Sequence, residues 1–244
     1  MFRATASTYY AKDIAGNMLI YNDCTRLSDQ LRDLADKNQS SRLRVDADLK
    51  ALDSLRKRSY GKEMESQRTI LRDLLDGTQG FTSCSVAPYS TECQNAVSMT
   101  VDRIREVERQ WNGILSRSAL HQSIGQLLST VVTKVCIDIQ DMSDISETDS
   151  HTLRKFCDQI AELKALFVED GKDTTGIYTP QWFKFLYLSE ILESSLADIK
   201  FLWTEGELRL EFRTDEVVDL IEALFAESEH RRRAIAEIKR SPEA

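Results

Sequence analysis

A chain of 244 residues with 41% hydrophobic side chains can bury a sizeable core without disulfides or metals. Its nine glycines and three prolines fall well below average usage, which excludes a many-turned β-sandwich or barrel and equally a disordered chain. Forty acidic residues against 32 Lys and Arg give a net charge of −8, and that excludes a general nucleic-acid binder, which needs a basic face to neutralise phosphates.

Helical periodicity recurs along nearly the whole chain. Ile20, Cys24, Leu27, Leu31 and Leu34 form one stripe of a helix ending near Asn38. A charge-rich second helix runs from about Arg42 to Asp76, with Leu49, Leu52, Met64, Leu71 and Leu74 as its apolar positions and Gly77 and Gly80 stopping it. A loop over residues 77–90 follows. Thr91-Glu92-Cys93-Gln94 fits a capping box, opening a helix whose apolar face is Val97, Val101, Ile104, Val107, Trp111 and Leu115. The next stripe is Leu120, Ile124, Leu127, Leu128, Val131, Val135 and Ile139. Ser146 to Asp149 restarts a helix bearing Leu153, Phe156, Ile160, Leu163 and Phe167. Residues 169–179 read as a loop. Thr179-Pro180 then reads as a helix start, cap hydroxyl followed by proline, leading one long apolar helix to about Trp203. Gly206 breaks it, Thr214-Asp215-Glu216 caps the next, and Ser228 marks a bend before the last.

The expected fold is all-α, an elongated antiparallel bundle or rod of seven or eight helices. Residues 1–177 are one helical region, with a loop near 77–90, and 178–244 a second, packed continuously with it. Leu208 to Phe212 alternates too briefly for a strand. The opening residues Met1-Phe2-Arg3 lead into polar residues rather than a signal peptide, and no stretch approaches a membrane span. Asn38-Gln39-Ser40 is a formal glycosylation sequon that reads as chance in such a chain. The expected setting is cytoplasmic.

Catalytic and ligand motifs are not found. Neither GxGxxG nor GxxxxGK[ST] occurs, so no phosphate cradle is expected. His121, His151 and His230 lie far apart, without paired ligand spacing. The five cysteines, Cys24, Cys84, Cys93, Cys136 and Cys157, form no CxxC and read as small core hydrophobes. Cys157 follows His151 by six residues, which on one helix puts them on different faces, so a Cys–His hydrolase has no motif behind it. No enzyme activity, metal or cofactor is expected.

Two features stand out. Tyr178 to Leu188 is an aromatic run; its first reading is a central helix, its second an anchor surface for a partner, with Trp182 and Phe183 as candidates. Tyr187 to Glu229 carries 12 acidic and 3 basic residues, whereas His230 to Arg240 carries 5 basic and 1 acidic. Solvated helix faces explain such segregation, but Arg231, Arg232 and Arg233 are also candidates for a partner contact.

Ile20-Tyr21-Asn22-Asp23-Cys24, with Leu27 following, resembles the NDC helix in the C-terminal half of the zeste-white-ten centromere/kinetochore family. Tyr178-Thr179-Pro180-Gln181-Trp182, then Ser195-Leu196, Ile199 and Trp203, resemble that family's extreme C-terminus, as do Thr214-Asp215-Glu216-Val217, Leu220-Ile221, Ala223-Leu224-Phe225, Arg231-Arg232 and Ile238-Lys239. Residues 38 to 90 match poorly. The resemblance implies a subunit of a tether, similar to exocyst and oligomeric Golgi subunits, peripheral on the endoplasmic reticulum. Such a tether captures vesicles returning from the Golgi and engages reticulum SNAREs. It also implies that the C-terminal part, about 180 to 240, grips a large α-solenoid of the neuroblastoma-amplified-sequence or Rod type. In the other role implied, the family joins Rod and Zwilch at kinetochores. Family chains are longer, with an N-terminal part that binds a sister subunit; that binding is not carried over.

Overall fold

The computed structural model describes residues 15–37 and 45–241. The sequon at Asn38 and the helix start expected at Arg42 lie outside them. Eleven α-helices occur among the described residues: α1 Gly16–Lys37, α2 Asp46–Asp76, α3 Tyr89–Trp111, α4 Arg117–Gln140, α5 Glu147–Ala161, α6 Thr175–Tyr178, α7 Trp182–Ile191, α8 Leu196–Thr204, α9 Leu208–Glu211, α10 Thr214–Leu224 and α11 Glu229–Arg240. Among the described residues the fold is all-α apart from one pair of two-residue strands, β1 (Val168–Glu169) and β2 (Lys172–Asp173). More and shorter helices form than the stripes suggested, because local caps and turns interrupt the apolar runs.

The residues form two compact units. One holds the described residues up to Ile70 together with Glu106–Ile124; the other holds Leu71–Arg105 and the described chain from Gly125 onward. Residue 177, the boundary expected between the two helical regions, lies inside the second unit.

In the first unit Ile20, Cys24 and Leu52 form a buried cluster, with Leu27, Leu31 and Leu55 partly buried against it. The α1 stripe fades toward its end, where Leu34 is exposed. Buried Glu63 accepts from Asn17 Nδ2 at 2.8 Å and from Gln67 Nε2 at 2.8 Å, so its carboxylate keeps the hydrogen bonds burial demands. In α2, Leu75 rather than Leu74 is fully buried.

The stripes of α3, α4 and α5 are buried as their spacing predicts, with Val107 to Ile124 in the first unit and the rest in the second. Helix α3 begins at Tyr89, two residues before the expected Thr91 cap; the Thr91 and Glu92 amides instead bond the Pro88 carbonyl. Ser146 does cap α5, accepting from the Asp149 amide at 3.1 Å. Asp149 in turn accepts from the Ser85 amide at 3.0 Å. Burial alone would raise its carboxyl, but the bonds from Ser85 and Ser146 hold it below the ordinary value. Between β1 and β2, Asp170 and Gly171 both take positive φ, 49° and 76°, the combination that closes a tight hairpin.

Candidate partner-binding region

The C-terminal helices carry every side chain the sequence offered as a partner contact. The expected single helix from Thr179 to Trp203 is two helices. Thr179 ends α6 rather than capping a helix, its amide bonding the Thr175 carbonyl. Gln181 at φ 64° delays the start of α7 to Trp182. At the other break Ser195 and Asp198 form a reciprocal box: the Asp198 amide donates to Ser195 Oγ at 3.3 Å, and the Ser195 amide to Asp198 Oδ2 at 3.2 Å. That box satisfies orphan donors and starts α8 afresh.

Trp182 is 2% exposed and lies 5.7 Å from the Phe185 ring between centroids. It belongs to the core, the first reading of the aromatic run, so its candidacy as a direct contact is corrected. Phe183 is 54% exposed, with its ring edge over Gly176, where an added Cβ would come within 2.6 Å of Cε2. A closer approach occurs at Gly125 in α4, where a Cβ would fall 2.3 Å from the Tyr178 carbonyl oxygen. At Gly125 only glycine lets the α4 backbone pass the Tyr178 carbonyl.

Beneath the exposed side of α7, Lys184 Nζ donates to Glu216 Oε1 at 2.6 Å and lies 4.9 Å from the Phe212 ring centre. The Arg213 amide also donates to Glu216, at 2.9 Å. Arg213, not Thr214, is therefore the cap residue of α10. Burial alone would raise the Glu216 carboxyl, but the Arg213 amide and the Lys184 ammonium outweigh it and hold the carboxyl below its ordinary value.

The basic run divides into two kinds of residue. The Arg231 guanidinium donates to the Glu222 carbonyl at 3.2 Å and the Phe225 carbonyl at 2.7 Å, and pairs with Glu227. It thus caps the C-terminal end of α10, where a cation meets unbonded carbonyls and the negative end of the helix dipole. Arg231 is a structural residue, which corrects its reading as a contact. Arg232 and Arg233 are exposed, paired with Glu227 at 2.7 Å and Glu229 at 3.3 Å. Ser228 is more than a bend, since it caps α11 by accepting from the Arg231 amide at 3.1 Å. The end of α11 is fixed by Trp203, whose Nε1 donates to the Ser241 carbonyl at 3.1 Å. A groove of about 450 Å³ between α8 and α11 is lined by Lys200, Arg233 and Glu237 among others. Its cations are already engaged, Lys200 with Glu237 at 2.9 Å and Arg233 with Glu229.

The hypothetical Cys–His arrangement does not assemble. Cys157 is fully buried, and burial, with Cys136 adding, pushes its thiol far above the ordinary value. His151 is on the surface, its Nδ1 2.9 Å from Glu193 Oε1. Among the described residues no group of His, Cys, Asp or Glu could hold a metal ion, and no helix is long and apolar enough to cross a membrane.

Residues 95–238 match the family model described as the ZW10 C-terminal helical domain. The chain belongs to the ZW10, or zeste-white-ten, family. It is similar to the Mus musculus protein named centromere/kinetochore protein zw10 homolog, 26% identical over 188 residues, covering 72% of this chain and 24% of that one. The Arabidopsis thaliana homolog is 24% identical over 232 residues, covering 89% and 31%. The Drosophila melanogaster centromere/kinetochore protein zw10 is 22% identical over 223 residues, covering 91% and 30%. The chain thus spans between 24% and 31% of the length of these ZW10 relatives.

Sequence reasoning passed over Leu186, Glu190, Glu207 and Glu211. It counted the acidic stretch as one block, and which carboxylates lack a cation is a property of the fold. The spacing of Phe183, Leu186 and Glu190, three and four residues apart, was the signal available.

Proposed function

We propose that this chain is a non-enzymatic protein-binding region of a ZW10-family subunit, gripping a large α-solenoid partner of the neuroblastoma-amplified-sequence or Rod type. Through that partner it serves retrograde Golgi-to-endoplasmic-reticulum vesicle tethering and SNARE-dependent fusion, peripheral on the reticulum membrane. The observation that supports this most is the match of residues 95–238 to the C-terminal helical domain, the part for which the sequence resemblance implies solenoid binding. The contact belongs on residues about 180–240, with Phe183, Arg232 and Arg233 among the exposed candidates.

The printed names of the relatives favour a second reading, a kinetochore subunit of a Rod–Zwilch type of complex. Affinity purification of the tagged chain from cells, with mass spectrometry of what co-purifies, separates the two. Tethering predicts a solenoid subunit with reticulum SNAREs, and the second reading predicts centromeric proteins. Recovery of neither set overturns both.

A further inference from the structure

The two charged surfaces of the C-terminal helices are unequal. Arg231, Arg232 and Arg233 each already hold a carboxylate. On α7, on α9 and at Glu207 just before α9 the reverse holds: among the described residues no lysine or arginine forms an ion pair with Glu190, Glu207 or Glu211. Tyr187 gathers these three. Its hydroxyl donates to Glu207 Oε2 at 3.4 Å. Burial raises that hydroxyl above its ordinary value, and the charges of Glu207, Glu190 and Glu211 raise it further, so all three carboxylates lie within its electrostatic reach. Arg209, the only cation of α9, sits two positions from Glu211 and so about 160° from it around the helix.

Beside the carboxylates lies apolar surface. Phe183 is 54% exposed and Leu186 36%; with Glu190 they occupy positions i, i+3 and i+7 of α7, one stripe along its outer side. Leu210, 65% exposed, projects from α9 next to Glu211. A single exposed leucine is ordinary, but an apolar stripe ending in three unpaired carboxylates is the complement of a helix with a leucine face and lysine flanks.

We propose that the outer face of α7 and α9 docks a basic amphipathic helix of a partner protein, its apolar side chains on Phe183 and Leu186 and its lysines or arginines toward Glu190, Glu207 and Glu211. This rests on the protein-binding reading above and adds the partner's charge, opposite to what the basic end of the chain would select. The apolar contacts set how long the complex lasts, and the carboxylates set encounter rate and orientation.

The test is fluorescence anisotropy with the whole chain and a labelled synthetic peptide of about 18 residues, leucine on one face and lysine on the other. A Leu–Glu counterpart serves as the control. The Leu–Lys peptide should bind saturably and the Leu–Glu peptide should not. Glu190→Lys with Glu211→Lys should weaken binding about tenfold at low salt, the loss of two exposed pairs, and less at about 300 mM salt. Leu186→Ser should weaken it at both. Asp219→Lys with Glu222→Lys on α10, the same change in net charge, should leave it unaltered, and circular dichroism should show all variants folded. Equal weakening by both double reversals would mean attraction to net charge alone and overturn the proposal. So would indifference to Leu186→Ser, or Leu186-dependent binding to phosphatidylcholine vesicles in place of the peptide. If Glu190→Lys with Glu211→Lys leaves capture of tether or centromeric partners from cells undiminished, the protein-binding reading stands and this face is not the partner's site.

Discussion

At the scale of single residues, three positions separate structure from contact. Gly125 admits the Tyr178 carbonyl so closely that Gly125→Ala must move backbone; the expected cost is about 1–3 kcal/mol, read as a lower urea midpoint. Arg231→Ala removes two bonds to the end of α10 and should cost about 1–3 kcal/mol. Arg233→Ala, losing one exposed pair, should stay within about 0.5 kcal/mol. Equal effects in paired thermal melts would show that Arg231 is no cap. Glu216 gives a pH signature. Its carboxyl is held below the ordinary value, so its contribution is complete above that value and disappears as pH falls through the lowered one. Glu216→Gln should therefore be less stable than the parent at neutral pH, with the gap closing as pH falls below the ordinary carboxylate value. A gap that stays constant would exclude the ion pair with Lys184 as its source.

At the scale of elements, the periodic stripes were legible because burial repeats with the helical turn: Val97 to Leu115 and Leu120 to Ile139 are all buried as spaced. What misled was apolar continuity across a local signal. Ser195-Leu196-Ala197-Asp198 is a box in plain view, yet the aromatic and leucine run on both sides suggested one helix through it. Asp170-Gly171 was likewise a hairpin signal between strands too short to show alternation. Opposite errors occurred at Thr91 and Thr179, where suitable cap residues stand but the chain turns elsewhere. The exposed face of α7 was half legible, since the spacing of Phe183 and Leu186 is in the sequence while the missing cations are not. If the Ser195 box is what divides α7 from α8, Ser195→Ala should cost about 1 kcal/mol. Backbone amide exchange should rise in the first turn of α8 and not in α7; uniform exchange across both would contradict this.

At the scale of the molecule, all five cysteines are free and buried. Burial pushes the Cys84 and Cys136 thiols up to about 12, so they stay protonated and unreactive at neutral pH. A thiol reagent should label almost none in the native chain and five after denaturation; rapid native labelling would mean that a helix carrying one of them opens readily. The family match and the helical content agree at this scale, since the matched domain is helical and residues 95–238 are where most of the short helices lie.

The bond from Trp203 to the Ser241 carbonyl gives the last helix a built-in optical reporter. All three tryptophans are buried, so the intact chain should emit at short wavelength. When α11 lifts away, water reaches the Trp203 indole and its emission shifts red while Trp111 and Trp182 stay dark to the change. Whatever binds or releases that helix can then be followed by eye of a fluorimeter, without a dye and without altering a residue.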